Sequence, residues 1–98
     1  MNEIEIERMS KHFSVLQNPI CLKIVFLLKE QDLYVYEIAK KINTRTSKVS
    51  KYLKQLRLIG MVSYKQENNL RRYYIARKDI LDLIYKHGQL IKRTDTDK

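Results

Sequence analysis

The spacing of apolar residues changes character at Gly60. Before it, apolar side chains recur three and four residues apart, the period of an α-helix. After it, Met61 to Gln66 and Leu70 to Ala76 alternate and are rich in Val, Ile and Tyr, as β-strands are. Beyond Ala76 the helical period returns. In 98 residues that pattern predicts one domain, mainly α with a small β-hairpin, and 44% hydrophobic residues supply material for a core.

The segments follow from spacing and punctuation. Residues 4–16 read as a helix, with Ile6, Met9, Phe13 and Leu16 spaced 3-4-3. Asn18 can cap and Pro19 can start a second helix, running to about Lys29, with Ile20, Ile24, Leu27 and Leu28 on one face. A short third helix, about Val35 to Ile42, turns Val35, Ile38, Ala39 and Ile42 inward. Asn43 suits a tight left-handed turn. Thr44 or Thr46 can cap a fourth helix that ends near Ile59, before Gly60. Its apolar stripe is Val49, Tyr52, Leu53, Leu56 and Ile59. Glu67, Asn68 and Asn69 form the expected hairpin tip. A last helix, Lys78 to Lys92, carries Ile80, Leu83, Ile84, His87, Leu90 and Ile91 along one side, and residues 93–98 read as a frayed polar tail.

Charge is concentrated in the middle of the chain. Between Lys40 and Lys78 lie 12 basic residues and a single acidic one, Glu67; the rest of the chain is slightly acidic, and the whole has a net charge of +9. A basic middle between acidic flanks describes a face for docking a polyanion. The longest apolar run, Ile24 to Leu28, is too short to cross a bilayer, and the charged start from Met1 to Arg8 does not read as a signal peptide. One cysteine, Cys21, excludes an internal disulfide framework and fits a reducing compartment. No acid/base pair, nucleophile constellation or phosphate loop stands out, so the expectation is not an enzyme.

A short helix, a tight turn and a longer helix form a helix-turn-helix over 35–59, and the hairpin over 61–76 adds a wing. On the fourth helix, Ser47, Lys51 and Lys54 fall opposite the apolar stripe, with Lys48 and Ser50 flanking. The expected DNA-binding residues are therefore Arg45, Thr46, Ser47, Lys48, Ser50, Lys51 and Lys54 on the reading helix, with Lys65, Arg71 and Arg72 on the wing.

The stretch Leu16 to Tyr74, about three fifths of the chain, resembles the ArsR/SmtB family of winged-helix repressors. The resemblance rests on a Pro-led helix, the strings EIAKKI, SKVSKYLKQLR and GMV, and the Tyr73-Tyr74 pair of the second wing strand. It implies a homodimer built from the first and last helices, here Ile6, Met9, Phe13, Ile80, Leu83, Ile84, His87, Leu90 and Ile91, which represses transcription until released. Metal-sensing members place a Cys-Val-Cys string at the start of the third helix; here Tyr34 and Tyr36 stand in those positions, and phenols do not replace thiolates for soft metals. The family's other metal site finds only Asp79, Asp82 and His87 nearby, too few to complete four ligands. No metal and no cofactor is expected.

Plainer readings stand beside these. Cys21 suits a small core residue better than a sensor thiol. His12 reads as a partly buried or solvated residue of its helix. His87 reads as an interface residue. Tyr34 and Tyr36 read as packing residues at a helix start, with a small-molecule pocket as the alternative, and Tyr64, Tyr73 and Tyr74 as core and hairpin pairs. Lys40 and Lys41 suit a solvated face and phosphate contact equally. Leu58 is apolar on the outward face of the fourth helix and has no account. The expected function is a dimeric, sequence-specific, metal-independent DNA-binding regulator reading an inverted repeat in the cytoplasm at the nucleoid. Its rivals are a non-specific architectural DNA coat and a winged helix used for protein contact.

Overall fold

The computed structural model describes residues 1–96. Its elements run α1 (Glu3–Leu16), α2 (Pro19–Glu30), β1 (Leu33–Tyr34), α3 (Val35–Lys41), α4 (Thr46–Leu58), β2 (Val62–Glu67), β3 (Leu70–Ile75) and α5 (Lys78–Thr96). The three strands form one antiparallel sheet in the order β1-β3-β2.

Local chemistry sets most boundaries. Asn2 and Glu5 close a capping box at the start of α1. The Asn18 side-chain oxygen accepts from the backbone N–H groups of Ile20 (2.9 Å) and Cys21 (3.3 Å), and Pro19 occupies the first turn of α2. Both helices of the helix-turn-helix end in the same device. After α3, Asn43 takes φ 52°; its N–H donates to Lys40 O and that of Thr44 donates to Ala39 O. After α4, Gly60 takes φ 78°; its N–H donates to Arg57 O and that of Met61 donates to Leu56 O. These are Schellman closures, and Leu56 and Met61, the two ends of the second, are fully buried.

The core gathers Cys21, Ile24, Val25 and Leu28 of α2, Leu33 of β1, Ile38 and Ala39 of α3, and Val49, Leu53 and Leu56 of α4 under the sheet residues Val62, Tyr73 and Ile75. Burial pushes the Cys21 thiol up to about 11, so it packs as an inert apolar residue. From α5, Leu81 enters the core, and Tyr85 meets Phe26 of α2 edge-on at 6.5 Å. α1 has no buried residue at all.

Five expectations are corrected. Neither Thr44 nor Thr46 caps α4: Arg45 occupies the cap position without a side-chain bond, and the Thr44 hydroxyl donates instead to Ile42 O. A third strand, β1, pairs Leu33 with Tyr73 and Tyr34 with Arg72. Glu67 ends β2, paired with Leu70, which leaves Asn68 (φ 55°) and Asn69 as the turn. α5 continues past Lys92 to Thr96, since nothing in that stretch breaks a helix; of the expected frayed tail, Asp97 and Lys98 lie outside the described residues. The inward face of α5 is led by Leu81, with Ile80 and Ile84 half-buried beside it.

Candidate nucleic-acid interface

α4 is positioned by its buried stripe, which sets the opposite face in solvent. Arg45, Thr46, Ser47, Lys48, Ser50, Lys51 and Lys54 are all exposed. Among the described residues, no carboxylate pairs with Arg45, Lys48, Lys51 or Lys54. The first turn of α4 has no acidic residue and no side-chain cap; the Lys48 N–H donates to Arg45 O (3.1 Å), which leaves the N–H groups of Thr46 and Ser47 at the positive end of the helix dipole. Asn43, Thr44, Arg45, Ser47, Lys48 and Lys51 line a shallow concavity there. Oriented N–H groups, short hydroxyls and cations without acidic partners match a phosphate-lined groove with base edges at its floor.

The wing holds its cations differently. Lys65 is exposed. Arg71 is exposed and rests on the Tyr64 ring, 4.4 Å from its centroid, and Arg57 at the end of α4 lies 5.5 Å from the same ring. Arg72, expected to reach DNA, is turned back on the protein. Its Nε donates to Glu67 (3.1 Å), its Nη2 donates to the Tyr34 hydroxyl (2.8 Å), and that hydroxyl donates to Glu67. The bond to Tyr34 holds Glu67 below the usual carboxylate range, and the bond to Glu67 raises the Tyr34 phenol. The structure thus brings the α4 residues together on one face, sets Arg71 beside Arg57 of α4 on the Tyr64 side of the hairpin, leaves Lys65 on the opposite side of the hairpin, where it pairs in register with Arg72, and sets Arg72 apart as a bound group.

Of the residues expected at a dimer interface, Ile6, Met9 and Phe13 on α1 and Leu83, His87, Leu90 and Ile91 on α5 are exposed. Ile80 and Ile84 pack on the protomer's own core. Leu58 is 74% exposed and nothing in the structure covers it. On α5, Asp79 is claimed by Arg77 in a two-point pair (3.0 and 2.8 Å), which draws its carboxyl down to about 2. Sequence reasoning missed Tyr34 and Glu67 as partners. The available signal was Glu67 itself, the lone acid of the basic segment.

Residues 18–64, from the cap of α2 into β2, match the family model described as bacterial regulatory protein, arsR family. Over those residues the chain matches an ArsR-type regulator. The HTH-type transcriptional regulator Rv0081 of Mycobacterium tuberculosis, described as uncharacterized, is 29% identical over 90 residues, covering 91% of this chain and 79% of that protein. The crystal structure of Rv0081 superposes with a TM-score of 0.86 at 26% identity, over 99% of this chain and 97% of that one. The same fold appears in the homodimeric winged helix-turn-helix DNA-binding domain of Mb0332 from Mycobacterium bovis, with TM-score 0.90 and 20% identity over 100% and 94% of the two chains. It appears again in the transcriptional repressor BigR from Xylella fastidiosa, with TM-score 0.75 and 20% identity over 92% and 96%. In this chain, α3 and α4 are the helix-turn-helix and β2 and β3 the wing.

Proposed function

We propose that this regulator is a homodimeric, sequence-specific repressor that reads an inverted repeat, one half-site per protomer, without a metal. The observation that carries the reading is the outer face of α4: exposed, free of carboxylates and open at its N-terminus, as a helix entering a major groove requires. Two-fold pairing is supported by the bare apolar residues of α1 and α5 and by the homodimeric state of the Mb0332 domain. Repression is supported by the likeness to BigR, a transcriptional repressor. Metal independence is supported by Tyr34 and Tyr36 in the thiol positions, with the Tyr34 hydroxyl already bound to Glu67 and Arg72. The site offers no catalytic constellation, and a place of work on chromosomal DNA in the cytoplasm accords with the basic face.

A competition assay at about 150 mM salt tests this reading, using DNA upstream of the chain's own gene against scrambled DNA, with and without EDTA. The upstream probe should survive a large excess of scrambled competitor, and EDTA should change nothing. Equal competition would make the protein a non-specific DNA coat, and sensitivity to EDTA would restore a metal.

A further inference from the structure

The ring formed by Tyr34, Glu67 and Arg72 joins the two parts of the DNA-binding face. Tyr34 ends β1 and leads into α3, and its backbone N–H donates to Glu37 in the first turn of that helix (2.9 Å). Its phenol stacks on Tyr36 (5.8 Å, 6°), and its hydroxyl reaches across to the wing. There Arg72 donates to both the hydroxyl and Glu67, and the hydroxyl donates to Glu67, so each group satisfies the other two. The Arg72 guanidinium also lies 4.7 Å from the Tyr34 ring centroid.

The position of the ring explains its use. β1 pairs with β3 only at Tyr73 and Arg72, so beyond Arg72 the hairpin is two-stranded, a form of marginal stability on its own. Glu67 sits at that outer end, beside the Asn68-Asn69 turn. A carboxylate there is costly for a wing approaching phosphates, and it is the sole acid between Lys40 and Lys78. Its charge is answered within the protein by Arg72, and its reward is geometric.

We propose that Tyr34, Glu67 and Arg72 are positioning residues for DNA reading, fixing the wing against the start of α3 so that Arg71, on the α4 side of the hairpin, meets DNA at a set distance from α4. The proposal rests on the DNA-reading function above. It opposes the simple charge argument, under which removing Glu67 tightens binding to a polyanion.

The test compares Tyr34→Phe, Glu67→Gln and the double variant with wild type, by fluorescence anisotropy on upstream and scrambled DNA at about 150 mM salt. Amide exchange across 66–71 and thermal unfolding are followed in the free proteins. Each single variant should lose about three- to tenfold affinity for upstream DNA, the scale of one ordinary hydrogen bond, with scrambled DNA changed less than about twofold. The double variant should be no weaker than the weaker single, because one ring is broken once. Exchange at the wing tip should rise while the unfolding midpoint stays near wild type. Tighter binding by Glu67→Gln, unchanged singles, or losses that multiply would each overturn the proposal. A wild type that prefers neither DNA overturns the function beneath it as well, whereas a wild type that discriminates no better than its variants overturns the ring's role alone.

Discussion

Lys48 and Lys51 stand in solvent beside the open first turn of α4 without an acidic partner, and the proposed function assigns their charge to DNA phosphates. Replacing either with Ala should weaken binding to upstream and scrambled DNA together, and lower the slope of log affinity against log salt by about one. Anisotropy titrations at several salt concentrations check this; an unchanged slope would place that lysine off the phosphates. A second residue-scale effect concerns acid. Asp79 is drawn down to about 2 by Arg77, below the ~3.9 of an unfolded chain, so the fold favours its ionised form. The contribution is full above the unfolded value and is lost as pH falls from about 4 through 2. Glu67, lowered chiefly by Tyr34, acts in the same direction. Thermal unfolding of Asp79→Asn across that window should therefore show a shallower fall than wild type, and an identical fall would mean the Arg77 pair contributes nothing.

Between elements, the two Schellman closures fix how α3 meets α4 and how α4 meets the sheet. Gly60 at φ 78° has open space around an added Cβ, so Gly60→Ala meets only backbone strain, of about 1–2 kcal/mol. Asn43→Gly, at φ 52°, relieves the same strain and should leave stability equal or slightly raised. Urea unfolding of the two variants should move in opposite directions or differ by at least that strain; equal losses would refute a left-handed cause. These closures, the Asn18 cap and the helical stripes were legible because each depends on residues within one turn of one another. β1 was not, because two residues carry no period and its partner, β3, lies some forty positions away. The partners of Arg72 were not legible for the same reason: its charge is a local fact, whereas its bonds to Tyr34 and Glu67 exist only once β1 pairs with β3. The basic face of α4 was readable in full, since helix geometry alone sets Ser47, Lys51 and Lys54 opposite Leu53 and Leu56.

At the scale of the whole molecule, the two flanking helices are out of balance with one protomer. α1 is well capped and yet buries nothing, with Ile4 64%, Ile6 53% and Phe13 63% exposed, and α5 leaves Leu83 67% and Leu90 53% exposed. Apolar faces of this kind on two helices mark an association surface, and stable dimers bury about 1,200–2,000 Å² in total. Because Phe13 and Leu83 are exposed in the protomer, Phe13→Glu and Leu83→Glu should leave its fold intact while breaking the pair. Light scattering should then give about the chain's own 11.8 kDa for each variant, against twice that for wild type. Affinity for an inverted repeat should fall by about 10²–10⁴, the avidity lost when two linked half-site contacts become one, while affinity for a single half-site stays unchanged. A wild type that is monomeric at the concentrations where it binds DNA would place the apolar faces of α1 and α5 against some other partner. A dimer that survives both substitutions would move the two-fold contact to another surface.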